Sequence, residues 1–377
     1  MHALVRSAPS ALRTWSGHAS RRAFSNSCAH QRGSLPQFLP ASTPELSALL
    51  STLNSKILLP EHLTPDQHKL VFRKENKAKL EAEPIEITLG NVTLPLEHLD
   101  KTRDLPPRVP TIFKIIDSST TPDDYENVVR MIEGLRSAGI TLDIRKKEKI
   151  VRVLSAADQQ HLVLRALQRA SATDMRLRNQ DLVACAFKGL FSRARRSGWD
   201  EAETRKMLGF AEQYVDLMED EEHLGKSDMK SGDLRSSPLV ICYPLALAAV
   251  RAKKHTGAQD VDGKVRLYAG RLMEALRQRD FLINELPVEA YSKVVGRKRN
   301  VEHSMQNQYI GRVQQLARLW TALHVSRDVL GSDMPHPEYA DKVESAVQAV
   351  WQQAKQTEGL DRFTQILNNI GEEMGEL

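Results

Sequence analysis

The chain has 377 residues, of which 41% are hydrophobic and 27% are charged. This length allows about two domains, and the apolar content is too high for intrinsic disorder. Aromatic residues make up only 5%, and helix-favouring residues such as Ala, Leu, Gln and Glu are common, which favours helices over a β-sandwich or β-barrel. Three cysteines, Cys28, Cys185 and Cys242, are too few for a disulfide framework or a four-thiolate zinc site.

The formal net charge of +5 comes from the amino-terminal end. The first 34 residues contain five arginines, no lysine and no acid, and without them 48 bases face 48 acids. The rest of the chain is therefore neutral. Because whole-chain basicity reflects this leader alone, an argument for nucleic-acid binding has to rest on local patches.

Residues 1–31 are predicted to be a mitochondrial transit peptide because they are rich in Arg and Ser and lack acids. Charged residues and Pro9 interrupt every apolar run that a secretory signal would need. Arg22, Phe24 and Ser27 resemble a two-step mitochondrial processing motif, which implies a mature start near Arg32. The predicted location is the mitochondrial matrix.

Residues 32–110 are predicted to be a linker that carries one helix and one β-hairpin, and a further short helix at 43–55 is left open. Thr64 is a candidate N-cap, followed by Pro65 at the first helical position. The hairpin is predicted at 85–94, where two β-prone runs flank Gly90-Asn91, a pair that favours a tight turn.

From Thr121 the sequence has helical periodicity. Residues 121–220 contain several apolar stripes at helical spacing, and the first ends at Gly139. Shifts of 35 and then 44 residues superpose the stripes at 125–138, 160–173 and 207–214. These could be helical-hairpin repeats or an ordinary bundle, since any two amphipathic helices can be aligned in one register.

The region 237–377 is predicted to be helical. Its longest apolar run, 238–250, is interrupted by Pro244 and is shorter than the roughly 20 residues that a membrane-spanning helix needs. We therefore predict a buried helix and no transmembrane segment. The sequence leaves peripheral contact with a membrane as an alternative.

The segment Glu133–Asp143, with sequence EGLRSAGITLD, resembles the end of a pentatricopeptide repeat. The resemblance implies an α-solenoid in an organelle that handles RNA. The turn has Leu142 in place of the family's proline, and the positions that would read a base hold Glu148 and Arg178, with Val183 in the next unit. We therefore expect helical-hairpin geometry without base-by-base reading. The predicted fold is all-α, an irregular α-solenoid or stack of helical hairpins with a short β-hairpin.

Motifs for catalysis and cofactor binding are missing from the sequence. It contains no phosphate loop of the form GxxxxGK(S/T), no GxGxxG and no HExxH. Cys185 and Cys242 lie in apolar stripes, which is typical of buried thiols. We predict no catalytic residue, no cofactor, no metal and no enzymatic activity.

Basic clusters are the candidate functional residues. They occur at three places in the neutral part of the chain: Arg145, Lys146, Lys147 and Lys149; Arg193, Arg195 and Arg196; and Arg297, Lys298 and Arg299. Each could be a solvated helix face, or the three could share a ridge that contacts RNA phosphates.

Two hypotheses follow. The first is a non-enzymatic helical-repeat protein of mitochondrial gene expression that binds mitochondrial RNA or the mitochondrial ribosome. The alternative is a protein scaffold or assembly factor for a respiratory complex, with protein partners along the helical surface.

Overall fold

A computed structural model describes residues 33–83, 85–225, 232–284, 286, 299–357 and 360–376. The predicted transit peptide 1–31, with Arg22, Phe24 and Ser27, lies outside these residues. Within them the chain is helical apart from one two-stranded sheet, so the predicted all-α class with a short β-hairpin is confirmed.

The amino-terminal region has more helix than the linker prediction allowed. Its helices are α1 Pro44–Thr52, α2 Leu59–His62, α3 Pro65–Phe72, α4 Lys77–Ala82 and α5 Arg108–Ser118. A π-helical stretch, Leu53–Leu58, joins α1 to α2. Thr64 caps α3 in a capping box with Gln67, as its sequence predicts. Leu46 and Leu50 of α1 and Leu53 and Leu58 of the π-helical stretch are buried, so hydrophobic packing orders this region. The domain boundaries stay a prediction.

The hairpin forms where the sequence predicts it. Strands β1 (Glu86–Leu89) and β2 (Val92–Pro95) pair antiparallel, with Leu89 opposite Val92. Gly90 has a φ of +64°, the left-handed conformation that a tight turn requires and that glycine adopts without strain.

Two further groups of helices complete the chain. The middle group is α6 Pro122–Ser137, α7 Ile144–Ala156, α8 Gln160–Gln168, α9 Ala170–Thr173, α10 Gln180–Arg196 and α11 Glu201–Met218. The carboxyl-terminal group is α12 Pro238–His255, α13 Lys264–Gln278, α14 Phe281–Asn284, α15 Arg299–Leu330, α16 Pro337–Gln356 and α17 Thr364–Glu376. Side chains at the N-cap bond to the first turn of α6, α7, α10 and α11, which fixes where these helices begin.

The helices stack as hairpins in two rows. In one row α7 packs on α10, α10 on α12, and α12 on α15; in the other α6 packs on α8 and α8 on α11. The sequence shifts of 35 and 44 residues superposed α6, α8 and α11, the members of the second row. Aromatic side chains contribute to this packing: the ring centroid of Phe187 on α10 lies 5.4 Å from that of Tyr214 in the other row and 5.7 Å from that of Tyr243 in its own row.

An extended segment, 33–42, lies along α6. The Asn127 side chain accepts a hydrogen bond from the Leu39 backbone N–H and donates one to the Leu39 carbonyl, at 2.7 and 3.0 Å. Pro36 packs directly over Gly134, where a Cβ would lie 2.7 Å from Pro36 Cγ. Because the segment satisfies the buried polar groups of α6, it covers the first helix of the stack.

Helix α12 contains the long apolar run. It is buried along almost its whole length, as predicted, despite Pro244 in its interior. Of the helices that the structure describes, none combines the length and the apolar character needed to cross a bilayer.

Candidate nucleic-acid interface

The first basic cluster lies on α7, and most of its charge is paired within the chain. Lys147 Nζ lies 2.7 Å from Asp174 Oδ2 and donates to the Asp174 carbonyl at 2.7 Å. Lys149 Nζ lies 3.0 Å from Asp117 Oδ1 and 4.1 Å from the centroid of the Phe113 ring. Lys146 pairs with the N-cap residue Asp143. Arg145 is exposed.

The second cluster ends α10 and is also paired. Arg193 bridges Asp158 at 2.6 Å and Glu203 at 3.0 Å, which joins α10 to the α7–α8 turn and to α11. Arg196 shares Asp158 at 2.7 Å. Arg195 contacts Glu373 of α17 at 3.2 Å. These arginines therefore connect helices of the stack.

The third cluster is only partly described. Arg297 and Lys298 lie outside the described residues, and Arg299 begins α15 with a side chain that the structure does not describe. Whether the three clusters share one face stays a prediction.

A groove brings together cations that are far apart in the sequence. It lies between the α7–α10 pair and the amino-terminal half of α15, and encloses about 1130 Å³. Arg145 of the first cluster and Arg196 of the second both line it. We call it the basic groove. Its other cations lie outside the three basic clusters of the sequence and are Arg152, Lys188, Arg312 and Arg318.

Helical spacing was the signal that could have identified two of these residues. Arg152 lies seven residues after Arg145, on the same face of α7, and Lys188 lies eight residues before Arg196 on α10. A search for runs of adjacent bases misses such residues, because neighbours in a run point in different directions around a helix.

The basic groove has an excess of positive charge. Arg145, Arg152 and Lys188 are exposed, and none forms an ion pair with a carboxylate of the described chain. Although much of the Lys188 side chain is exposed, partial desolvation of its ammonium group inside the groove lowers the pKa of Lys188, and the positive charge of Arg318 lowers it further. Two carboxylates, Glu148 and Asp181, also line the groove.

These carboxylates lie close enough to interact. Burial and the charge of Asp181 raise the pKa of Glu148. The groove thus combines six cations with two carboxylates. An anionic ligand would relieve the repulsion among the cations.

A buried ion pair supports the floor of the groove. Glu373 of α17 is 1% exposed and bonds to Arg318 of α15 as well as to Arg195. The Arg318 guanidinium also stacks on Phe191, 4.6 Å from the ring centroid. Helix α17 therefore holds α10 and α15 together beneath the groove.

The base-reading positions of the pentatricopeptide comparison do not lie together. Glu148 lines the basic groove, whereas Arg178 donates to the backbone carbonyls of His223 and Glu221. Val183 is fully buried and cannot contact a base.

Neither of the two cysteines in the described residues, Cys185 and Cys242, has the lowered pKa of an activated thiol. Burial raises the pKa of Cys185 to about 11, and Cys242 is fully buried. Across the described ranges, the structure has no group of three His, Cys, Asp or Glu residues arranged to hold a metal ion.

Comparison with known proteins gives two findings. A family model described as Mrp13, mitochondrial ribosomal protein mS27, matches residues 22–372. The small ribosomal subunit protein mS27 of Neurospora crassa is 26% identical over 202 residues, which cover 53% of this chain and 51% of that protein. The match thus spans about half the length of that curated relative.

Proposed function

We propose a ribosomal function for this chain, which belongs to the mitochondrial ribosomal protein mS27 family. The chain acts as a non-enzymatic component of the mitochondrial small ribosomal subunit. The family agrees with the predicted matrix location, the non-enzymatic role and the place in mitochondrial translation. It gives no support to the alternative, an assembly factor for a respiratory complex.

The basic groove is the surface of this chain that contacts ribosomal RNA. One observation carries this assignment: the stacked helices place the cations of α7, α10 and α15 around one cavity, and two carboxylates accompany them among the lining residues that the structure describes. Phosphate contacts of this kind supply affinity without reading sequence, and they weaken as salt displaces them. A ribosomal component fixed to one RNA needs no base code.

The helical hairpins are diverged pentatricopeptide-like units. Helices α6, α8 and α11 occupy corresponding places in one row, and α7, α10 and α12 in the other. The hairpin geometry supports this relation, while the separated positions of Glu148 and Arg178 argue against the family's base code.

Charge reversal in the groove tests the RNA contact. The variant carries Arg145→Glu, Arg152→Glu and Lys188→Glu, and the readout is binding to small-subunit ribosomal RNA over a salt series. We expect affinity to fall more than about tenfold and the salt slope to decrease by about 2 to 3, since each of the three phosphate contacts contributes roughly 0.7 to 0.9 to the slope.

A matched control carries three exposed lysines outside the groove, Lys206→Glu, Lys254→Glu and Lys342→Glu, with the same change in net charge. It should bind almost normally. Equal losses in both variants would reduce the effect to net charge, and unchanged binding in the groove variant would overturn the assignment. Thermal unfolding of each variant checks that it is folded.

A further inference from the structure

The two walls of the basic groove differ in chemistry. The wall made by α7 and α10 carries the exposed cations Arg145, Arg152 and Lys188. The wall made by α15 carries amides: Asn307, Gln308, Gln314 and Gln315. Cationic side chains only donate hydrogen bonds, whereas amides both donate and accept them. A ligand that matches both walls has one anionic edge and one edge of mixed donors and acceptors.

The amide wall has room at its centre. Gln308, Gly311 and Gln315 follow one another at helical spacing, so they lie on one face of α15. A Cβ built on Gly311 would have no atom within 4 Å. The open space above this glycine forms a notch between the two amides.

The amides beside the notch are available to a ligand. Gln308 and Gln315 make no hydrogen bond to another residue in the part of the chain that the structure describes, while Gln314 accepts one from Lys188 at 2.8 Å. The two arginines on this wall, Arg312 and Arg318, are both engaged in interactions within the chain, Arg318 with Glu373. The wall is therefore suited to neutral polar groups more than to phosphates.

We propose that the basic groove holds a single-stranded segment of RNA, with its phosphates against α7 and α10 and a base seated over Gly311. This inference rests on the proposed function, because it specifies the form of RNA that the same groove takes. A duplex uses the Watson–Crick edges of its bases for pairing, and its deep, narrow major groove does not admit side chains. An unpaired strand can present its phosphates to one wall and turn the free edge of a base to the other. Glutamine amides match the donor and acceptor pattern of base edges.

Filling the notch with a larger side chain tests whether a base binds over Gly311. The probe is a short fluorescent RNA of mixed sequence, used single-stranded or annealed to its complement. We expect Gly311→Trp to weaken single-strand binding about tenfold, the size of a lost base contact, and Gly311→Ala to leave binding unchanged. Gly209→Trp is the matched control, since Gly209 is also a helical glycine with open space around it and lies outside the groove.

Removing the amides tests the preference for unpaired RNA. The double variant Gln308→Leu and Gln315→Leu keeps the size of the side chains and removes their hydrogen bonds. We expect the wild-type protein to bind the single strand at least about tenfold more tightly than the duplex, and the double variant to lose most of that difference.

Each failure has a separate meaning. If the duplex binds as tightly as the single strand, or Gly311→Trp binds normally, the single-strand inference is wrong. If the charge reversal of Arg145, Arg152 and Lys188 still abolishes binding in that case, the phosphate contact of the proposed function stands. If that reversal is also without effect, the groove is not the RNA surface at all.

Discussion

Cations in this protein occupy two kinds of environment, even where they are close together in the sequence. Lys147 is 12% exposed and is bonded to Asp174, whereas Arg145, two residues earlier, is exposed at the rim of the basic groove. Residues that are two apart in an α-helix point about 200° away from each other. Lys147 therefore faces the neighbouring helix, and Arg145 faces the groove. A basic cluster in the sequence therefore combines residues that hold helices together with residues that remain open to a ligand.

The buried ion pairs of Glu373 should show the largest effect on stability. Replacing Glu373 by Ala leaves Arg318 and Arg195 without their shared carboxylate, and we expect a loss of about 3 kcal/mol in the free energy of unfolding. Denaturant unfolding measures it, with the exposed neighbour Glu372→Ala as control. A loss below about 1 kcal/mol would mean that the pair does not hold α17 to the stack.

Lys147→Met tests whether paired cations are structural. The substitution removes two hydrogen bonds to Asp174, so we expect a loss of about 1–2 kcal/mol in stability, with RNA affinity changed less than about twofold. Arg145→Met should do the reverse, weakening RNA binding with little change in unfolding. If both variants change stability and RNA affinity alike, then Lys147 and Arg145 do not have separate structural and ligand-binding roles.

A buried histidine makes the stability depend on pH. His223 Nδ1 accepts a hydrogen bond from the Leu177 N–H at 2.9 Å, and burial lowers the pKa of His223 below its usual 6.5. The unfolded chain therefore takes up the proton first as the pH falls.

The stability contributed by neutral His223 is complete above pH 6.5 and is lost as the pH falls from there through the lowered pKa. We expect the melting temperature to decrease over that range and the decrease to become smaller in His223→Gln. Exposed His255→Gln should keep the wild-type profile. An equal decrease in all three proteins would assign it to other groups.

The carboxylates of the groove should show the smallest effect. Glu148→Gln with Asp181→Asn removes two negative charges from the lining and keeps the shape of the side chains. We expect the RNA affinity of this variant to be about two- to fivefold higher than that of the wild-type protein at low salt. The difference should disappear at high salt, because salt screens the electrostatic interaction between the carboxylates and the phosphates. Fluorescence anisotropy over a salt series measures it, and Glu338→Gln, exposed and outside the groove, is the control. Weaker binding would show that these acids contact the RNA directly.

Local signals in the sequence determined the class of the fold. Apolar stripes at helical spacing predicted the buried faces of α6, α8 and α11, and Gly90-Asn91 predicted the hairpin, because these features act over a few neighbouring residues. The amino-terminal helices were underestimated. They owe their order to buried leucines of α1 and the π-helical stretch, which pack against α5, and such contacts leave no periodic signal over a short segment.

The composition of the leader was sufficient to predict the organelle and to show that the rest of the chain has no net charge. The apolar pattern of the helices was sufficient to predict that they stack. The groove required the tertiary structure. Arg145, Lys188 and Gly311 belong to three helices, and only the packing of α7, α10, α12 and α15 brings them around one cavity. Which cations are paired was also decided there, because partners such as Lys147 and Asp174 or Arg195 and Glu373 are separated by long stretches of chain. The sequence gives the number of charged residues, whereas the electrostatic field at a binding site depends on which of those charges are already paired within the fold.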